Sequence, residues 1–152
     1  MATAAVNRPV EVLLVEDNPG DIRLIEEALK ETSLRIHLNV ARDGVEALDF
    51  LRKTDRFADA ARPDLVLLDL NLPRKNGGEV LSEVKADPDL KRIPVLVMTT
   101  SQNSQDVRRA YQLNANSYIV KPTDLDAFLH TVKSIEEFWL KTATLPTFAP
   151  PR

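Results

Sequence analysis

The chain has 152 residues, 43% of them hydrophobic, and a formal net charge of −3. These values predict one domain with a single core and exclude a general attraction for nucleic acid or anionic membranes. The absence of cysteine excludes disulfides and thiolate chemistry and leads us to expect a cytoplasmic protein. No apolar run reaches the length of about 20 residues that a membrane span needs, and we expect residues 1–9 to form a loose leader.

Five strand-like segments alternate with five helix-like segments along the chain. The predicted strands cover residues 10–15, 35–40, 64–69, 93–98 and 117–120. Each predicted helix begins at a capping residue, and these residues are Asn18, Asp43, Asn76, Ser104 and Thr123. Glu46 and Glu79 each follow a cap by three residues, a spacing typical of capping boxes.

The polarity of the strands predicts their order in a sheet. The first, third and fourth strands are apolar on both alternating faces, which is typical of the centre of a parallel sheet. The second and fifth are shorter or more polar and suit the edges. Apolar residues at helical spacing, including Val45 and Leu125, are expected to face the core. We therefore predict an α/β fold: a doubly wound, flavodoxin-like, five-stranded parallel sheet with strand order 2-1-3-4-5.

Polar side chains follow these strands at the points where they end. Glu16 and Asp17 follow the first strand, Asp69 ends the third, Thr99 the fourth, and Lys121 follows the fifth. In a parallel sheet these ends share one edge, where ligands bind. Carboxylates without histidine or cysteine select a hard cation such as Mg²⁺, Mn²⁺ or Ca²⁺.

Phosphoryl transfer is the chemistry that this set of groups favours. An aspartate can attack phosphorus, while a lysine and a hydroxyl stabilise the charge of the transferred group. Each feature alone is typical of an ordinary loop or helix cap. Their combination at successive strand ends indicates a metal-dependent phosphoryl site.

The combination of Glu16-Asp17, Asp69, Thr99 and Lys121-Pro122 resembles the receiver domain of two-component response regulators, over about residues 9–140. The resemblance implies that Asp69 is the phosphoacceptor and that Lys121 pairs with the phosphoryl oxygens. It implies a phosphoacceptor protein that phosphorylates and dephosphorylates itself with Mg²⁺, rather than an enzyme with a separate substrate.

The same resemblance implies roles for the remaining site residues. The implied cation ligands are Asp17, Asp69, the backbone carbonyl of Asn71 and, through water, Glu16. Thr99 and Tyr118 would form the switch that responds to phosphorylation. Three features could alter this behaviour: a glutamate at position 16 where many relatives have aspartate, the bulky Thr100, and the pair Asn18 and Arg74 beside the acceptor.

A narrower resemblance concerns the partner. Segments 16–21, 72–77, 99–101 and 135–140 resemble the small regulators paired with bacterial phytochrome kinases. This implies a phytochrome-type sensor histidine kinase as phosphodonor. Because residues 141–152 form only a short tail, we expect a stand-alone receiver domain spanning 10–140 that signals through protein contacts or passes the phosphoryl group on.

The end of the last helix carries three consecutive apolar residues, Phe138, Trp139 and Leu140. Successive helical residues differ by about 100°, so the three side chains cannot all face one core. One interpretation is a homodimer through the fourth helix, fifth strand and fifth helix, extended by the tail, since exposed apolar patches mark contacts. The other is that the tail folds back and covers them.

Three further functions compete with the receiver interpretation. A haloacid dehalogenase-type phosphatase needs an acid two residues after the nucleophile, where this chain has Asn71. A flavodoxin needs a first loop that binds phosphate, which Glu16 and Asp17 would repel. A receiver-like interaction domain without phosphorylation is the remaining alternative, and the presence of every residue of the set argues against it.

Overall fold

A five-stranded parallel sheet forms the centre of the protein. The structure is a computed structural model and describes residues 8–148. The strands are β1 (Val10–Val15), β2 (Ile36–Ala41), β3 (Leu65–Leu68), β4 (Val95–Thr99) and β5 (Ser117–Val120). The α-helices are α1 (Pro19–Lys30), α2 (Gly44–Arg52), α3 (Gly77–Ala86), α4 (Ser104–Gln112) and α5 (Leu125–Ile135). The order β2-β1-β3-β4-β5 confirms the predicted topology.

The sheet separates two apolar layers because its central strands are buried on both faces. Val66 and Leu68 of β3 pack into the layer that contains α2 and α3, whereas Leu65 and Leu67 pack into the layer that contains α1 and α5. All four β3 residues are buried. This two-sided burial is what the continuous apolar runs predicted, and it fixes the strand that leads to Asp69.

Helix caps set where three of the five helices begin, as predicted. Asn18 caps α1, Asp43 caps α2, and Asn76 with Glu79 forms a complete capping box on α3. The pair Asp43 and Glu46 is not a complete box, because the Glu46 carboxylate accepts from the backbone of Arg42 instead.

Two predicted caps are wrong by one residue. Asn103 caps α4 in place of Ser104, with its side chain accepting from Gln105 N at 2.7 Å. Asp124 caps α5 in place of Thr123, accepting from Ala127 N at 2.9 Å. Asparagine and aspartate cap helices at least as well as serine and better than threonine, so the residue next to the predicted one acts as the cap in both helices.

Two side chains expected in the core lie further out. Val45 is only half-buried, whereas Ala47 and Phe50 of the same helix are buried. Leu125 is exposed, because it is the first residue of α5 and helical side chains lean toward the N-terminus, beyond the helix end.

Helix α5 continues into a π-helical stretch, Glu136–Thr142, here called the π segment. It divides the apolar trio: Leu140 is buried, Trp139 half-buried and Phe138 exposed. Leu145, beyond the segment, is buried in the same apolar layer as Leu140. The chain therefore does fold back after the helix, and it leaves Phe138 uncovered.

Both ends of the described chain meet at Asp64, the buried residue before β3. The Arg8 guanidinium donates to both Asp64 carboxylate oxygens at 3.0 Å. The backbone of Glu11 donates to the same carboxylate at 2.8 Å, and so does the hydroxyl of Thr147. Most of the predicted leader and the last four residues of the predicted tail, 149–152, lie outside the described residues. Between Arg8 and Phe148, no helix has the length and apolar character to cross a bilayer.

Candidate functional site

The carboxyl edge of the sheet brings the predicted residues together through the strand ladders. Glu16 N donates to the carbonyl of Ala41 at 2.9 Å and Asp69 N to that of Val15 at 3.0 Å. On the other side, Lys121 N donates to the carbonyl of Thr99 at 2.7 Å. Each site residue therefore extends the hydrogen bonding of its strand by one position. The exposed fractions are 1% for Glu16, 7% for Asp69, 0% for Thr99 and 7% for Lys121.

The ammonium group of Lys121 links three carboxylates. Its Nζ lies 2.5 Å from Glu16 Oε1, 2.9 Å from Asp21 Oδ2 and 3.1 Å from Asp69 Oδ2. Buried charges are tolerated only when paired in this way. Asp21 was not among the predicted site residues, because its position in the first turn of α1 also suits a helix end. Its place four residues after Asp17, in the helix that starts beside the paired acids, was the available signal.

The charges in this cluster are unbalanced. Burial is the largest influence on Glu16 and raises the pKa of its carboxyl group to about 7, against the hydrogen bond from Lys121. Burial lowers the pKa of Lys121, but hydrogen bonds to Glu16 and Asp21 and the charge of Asp69 outweigh it, so this pKa lies above its usual value. The lysine stays charged at neutral pH and does not neutralise all the acids around it.

Glu16, Asp17 and Asp69 can each offer a carboxylate oxygen within 4.8 Å of the others. Asp17 is exposed while the other two are buried, so the group opens toward solvent on one side. An all-oxygen, negatively charged group with solvent access suits a hard divalent cation that keeps some of its water. The residues present therefore fit the predicted cation.

The loop that follows β3, residues 69–76, is here called the β3–α3 loop. Asp69 Oδ1 accepts a hydrogen bond from Asn71 N at 3.2 Å, and Gly77 N donates to the carbonyl of Leu70 at 2.9 Å. A Cβ added at Gly77 would lie 2.2 Å from the Asp69 carbonyl oxygen and 2.6 Å from Leu70 Cα. Only glycine allows α3 to start so close to the aspartate, and no sequence pattern indicated this contact.

Thr99 and Tyr118 lie on neighbouring strands, as predicted. Thr99 Oγ1 is buried and has no hydrogen-bond partner among residues 8–148, which is costly for a hydroxyl. The Tyr118 hydroxyl donates to the carbonyl of Ser101 at 2.9 Å, so the ring is tied to the loop after β4. Tyr111 accepts a hydrogen bond from Tyr118 N at 3.1 Å and ties β5 to α4.

Comparison with known proteins decides the family. A family model described as the response regulator receiver domain matches residues 12–133. The chain belongs to the response regulator receiver domain family. Response regulator Rcp1 from Synechocystis sp. is 49% identical to it over 140 residues, which are 92% of this chain and 95% of that protein.

Solved receiver structures share the fold closely. The crystal structure of the phosphorylated cyanobacterial phytochrome response regulator RcpA has a TM-score of 0.90 and 52% identity, and covers 91% of this chain and 99% of that one. The Mn²⁺-bound form of response regulator Rcp1 has a TM-score of 0.89 and 48% identity with the same coverage. Both are receiver domains whose sheet matches the one described above.

Within this receiver domain, the predicted residues fall into two places. Glu16, Asp17, Asp69, Thr99 and Lys121 gather at the carboxyl edge of the sheet. Phe138, Trp139 and Leu140 lie in the π segment that follows α5. Because α5 runs antiparallel to the strands, this segment lies at the opposite edge of the sheet, and of the three side chains only Phe138 is exposed.

Proposed function

We propose that this receiver domain accepts a phosphoryl group on Asp69 from a sensor histidine kinase and then signals through contacts with other proteins. The observation that carries the proposal is the arrangement around Asp69. Its carboxylate is held between Lys121 Nζ and the backbone of Asn71, in a group of acids that fits a divalent cation. Nothing in this role requires a separate substrate, so the protein acts as a phosphoacceptor rather than as an enzyme on other molecules.

The cation we propose is Mg²⁺, with Mn²⁺ or Ca²⁺ able to take its place. Asp17, Asp69 and the backbone carbonyl of Asn71 would bind it directly, and Glu16 would hold its water. When bound, it would neutralise charge on the oxygens of the transferred group. The Mn²⁺-bound form of Rcp1, a relative, supports this choice.

The chain's own residues account for the rest of the transfer. A carboxylate oxygen of Asp69 forms a bond to phosphorus as the bond between phosphorus and the donor's histidine nitrogen breaks. Lys121 supplies a positive charge to the phosphoryl oxygens, and Thr99 can donate its free hydroxyl to one of them. Later attack by water on phosphorus would return the Asp69 carboxylate, which is the autodephosphorylation we include in the proposal.

The proposed donor is a phytochrome-type sensor histidine kinase, and the proposed location is the cytoplasm. The support for this donor is the name of RcpA, a cyanobacterial phytochrome response regulator that is 52% identical to this chain. Transfer from a phosphorylated phytochrome-type kinase should be faster than transfer from an unrelated histidine kinase at equal concentration. Equal rates would argue against this partner.

Labelling with acetyl phosphate tests the central proposal without any kinase. We expect phosphoryl incorporation that depends on Mg²⁺, is absent in EDTA and is lost on treatment with base, as for an acyl phosphate. Incorporation in EDTA, or a product stable to base, would contradict phosphorylation of a carboxylate with help from a cation.

Thr99 and Tyr118 are proposed to report phosphorylation to the rest of the domain. The variant Thr99→Ala should still be phosphorylated but should lose the conformational response, because its hydroxyl can no longer move toward the phosphoryl group. We expect amide shifts around Tyr118 and Ser101 on beryllofluoride treatment in wild type and not in the variant. Thr54→Ala, which changes an exposed threonine just after α2, serves as control and should respond like wild type. Equal shifts in Thr99→Ala would count against the switch.

A homodimer through α4, β5, α5 and the π segment is the proposed assembly. The support is a set of exposed apolar side chains on these elements: Tyr111 at 49%, Val120 at 37%, Leu125 at 53% and Phe138 at 53%. Exposed apolar side chains such as these favour association when a second copy can cover them.

The dimer is tested best at Phe138. Truncation after Lys141 would remove the buried Leu145 and disturb the fold itself, whereas Phe138 is exposed. We expect Phe138→Ala to weaken dimerisation about 10-fold or more, as for an aromatic anchor, measured by light scattering over a dilution series. Emission from Trp139, the only tryptophan, should shift to the red as the wild type dissociates. A wild type that stays monomeric at high concentration with constant emission would overturn the proposal.

A further inference from the structure

The first residue of α2 touches the backbone of the β3–α3 loop. A Cβ added at Gly44 would lie 1.9 Å from the Lys75 carbonyl oxygen, 2.7 Å from the carbonyl carbon and 2.8 Å from Lys75 Cβ. These distances are far inside van der Waals contact, and the atoms are mostly backbone. Gly44 and Gly77 therefore hold the loop between them, one pressed against Lys75 and the other against Asp69 and Leu70.

Charged side chains reinforce the contact between α2 and the loop. Asp43, the cap of α2, accepts from Glu46 N with one oxygen and pairs with Arg74 through the other at 3.4 Å. Arg74 has φ 66°, a left-handed conformation that a non-glycine residue holds only when its surroundings enforce it.

A second ion pair fixes the next residue of the loop. Lys75 Nζ lies 2.5 Å from Glu83 Oε2 on α3, and the other oxygen of Glu83 lies 3.0 Å from Arg52 on α2. The hydrogen bond from Lys75 lowers the pKa of the Glu83 carboxyl group, so this pair stays charged at neutral pH. The β3–α3 loop is thus tied to both helices.

We propose that Gly44 is a positioning residue for the cation: the approach of α2 sets the position of the β3–α3 loop and through it the backbone at Asn71. Lys75 N donates to the carbonyl of Pro73 at 2.8 Å, so a displacement of Lys75 also displaces Pro73. The loop cannot shift toward Gly77, because Gly77 is already in close contact with the backbone of Asp69 and Leu70. A displacement therefore runs toward Asn71, whose carbonyl is a proposed ligand. This inference rests on the proposed function.

The expected effect is weaker binding of the cation, while the nucleophile Asp69 is retained. Gly44→Ala leaves every proposed ligand in place and moves only the loop that presents one of them. Changes in residues that orient metal ligands typically cost about 10–100-fold in metal affinity. We expect a loss near the lower end of that range, since the carboxylates of Asp17 and Asp69 remain.

The test is the Mg²⁺ affinity of the full chain, measured by calorimetry in wild type, Gly44→Ala and Gly78→Ala. Gly78 is the matched control, because its added Cβ would meet only the side-chain oxygen of Asn76, at 3.3 Å. Gly44→Ala should bind Mg²⁺ about 10-fold more weakly, and its slow labelling by acetyl phosphate should recover at high Mg²⁺. Gly78→Ala should behave like wild type. A folded Gly44→Ala with wild-type affinity would overturn the inference.

Lys75→Met keeps the inference testable if Gly44→Ala does not fold. It retains the Cβ and much of the side-chain length but removes the ion pair with Glu83, so it loosens the same loop without a steric clash. Severalfold weaker Mg²⁺ binding in folded Lys75→Met supports the inference, and unchanged binding overturns it. A wild type that binds no Mg²⁺ and accepts no phosphoryl group would instead overturn the proposed function, which keeps the two failures distinct.

Discussion

Replacing Asp69 by asparagine is expected to abolish phosphorylation while leaving the fold intact. The amide has the shape of the carboxylate but lacks the nucleophilic oxygen, so no acyl phosphate can form. Labelling by acetyl phosphate or by a kinase should fall to background. Affinity for Mg²⁺ should also fall, since a proposed ligand is lost. The unfolding midpoint without Mg²⁺ should be no lower than in wild type, because Lys121 keeps its pairs with Glu16 and Asp21 and one repelling carboxylate is gone.

The matched control for this variant is Asp126→Asn. Asp126 is an exposed carboxylate in the first turn of α5, and its substitution should leave labelling at the wild-type level. Undiminished labelling of Asp69→Asn would place the phosphoacceptor elsewhere, and mapping the modified peptide would then identify it.

Replacing Lys121 by methionine is expected to affect both stability and phosphorylation. The buried ammonium is the only basic group among the described residues that pairs with Glu16, Asp21 and Asp69. Removing one partner from a buried ionic group typically costs about 3–5 kcal/mol. Here part of that cost should be relieved by partial exposure of Asp21. Added Mg²⁺ should restore stability, because a cation can take over the neutralisation of these acids.

Labelling of Lys121→Met should be slowed about 100-fold even with saturating Mg²⁺, because the phosphoryl oxygens lose a preorganised positive charge. Urea unfolding with and without Mg²⁺ and labelling by acetyl phosphate measure the two effects separately. Lys30→Met, which changes an exposed lysine on α1, should show neither. A variant labelled at the wild-type rate would remove Lys121 from the proposed mechanism.

Hydrophobic periodicity was sufficient to predict the strands, their order and the acids at the carboxyl edge. Asp69 and Lys121 could be assigned to one site because each directly follows a buried strand, and parallel strands end together. Asp21 could not, since a carboxylate in a first helical turn is also explained by its favourable interaction with the N-terminus of the helix. Whether it reaches Lys121 depends on the rotation of α1 about its own axis.

Contacts between backbone segments could not be predicted from sequence patterns. The close approaches of Gly44 and Gly77 depend on the spacing between helices and loops, which no period encodes. Ser104 and Thr123 were wrong as caps because the competing residue stood directly beside each. The π segment was predicted as ordinary helix, since one extra residue in a turn hardly changes the apolar pattern of residues 135–140.

The anchoring of Arg8 and Thr147 on the single carboxylate of Asp64 makes residues 8–147 nearly a closed ring. A short linker between these two positions would suit a circular permutant, with new termini opened at the exposed turn around Asp55. Because Asp64 precedes β3, Arg8 and Thr147 lie on the side of the sheet opposite Asp69. An affinity handle or an immobilising surface placed there would leave the phosphoryl donor's approach unobstructed.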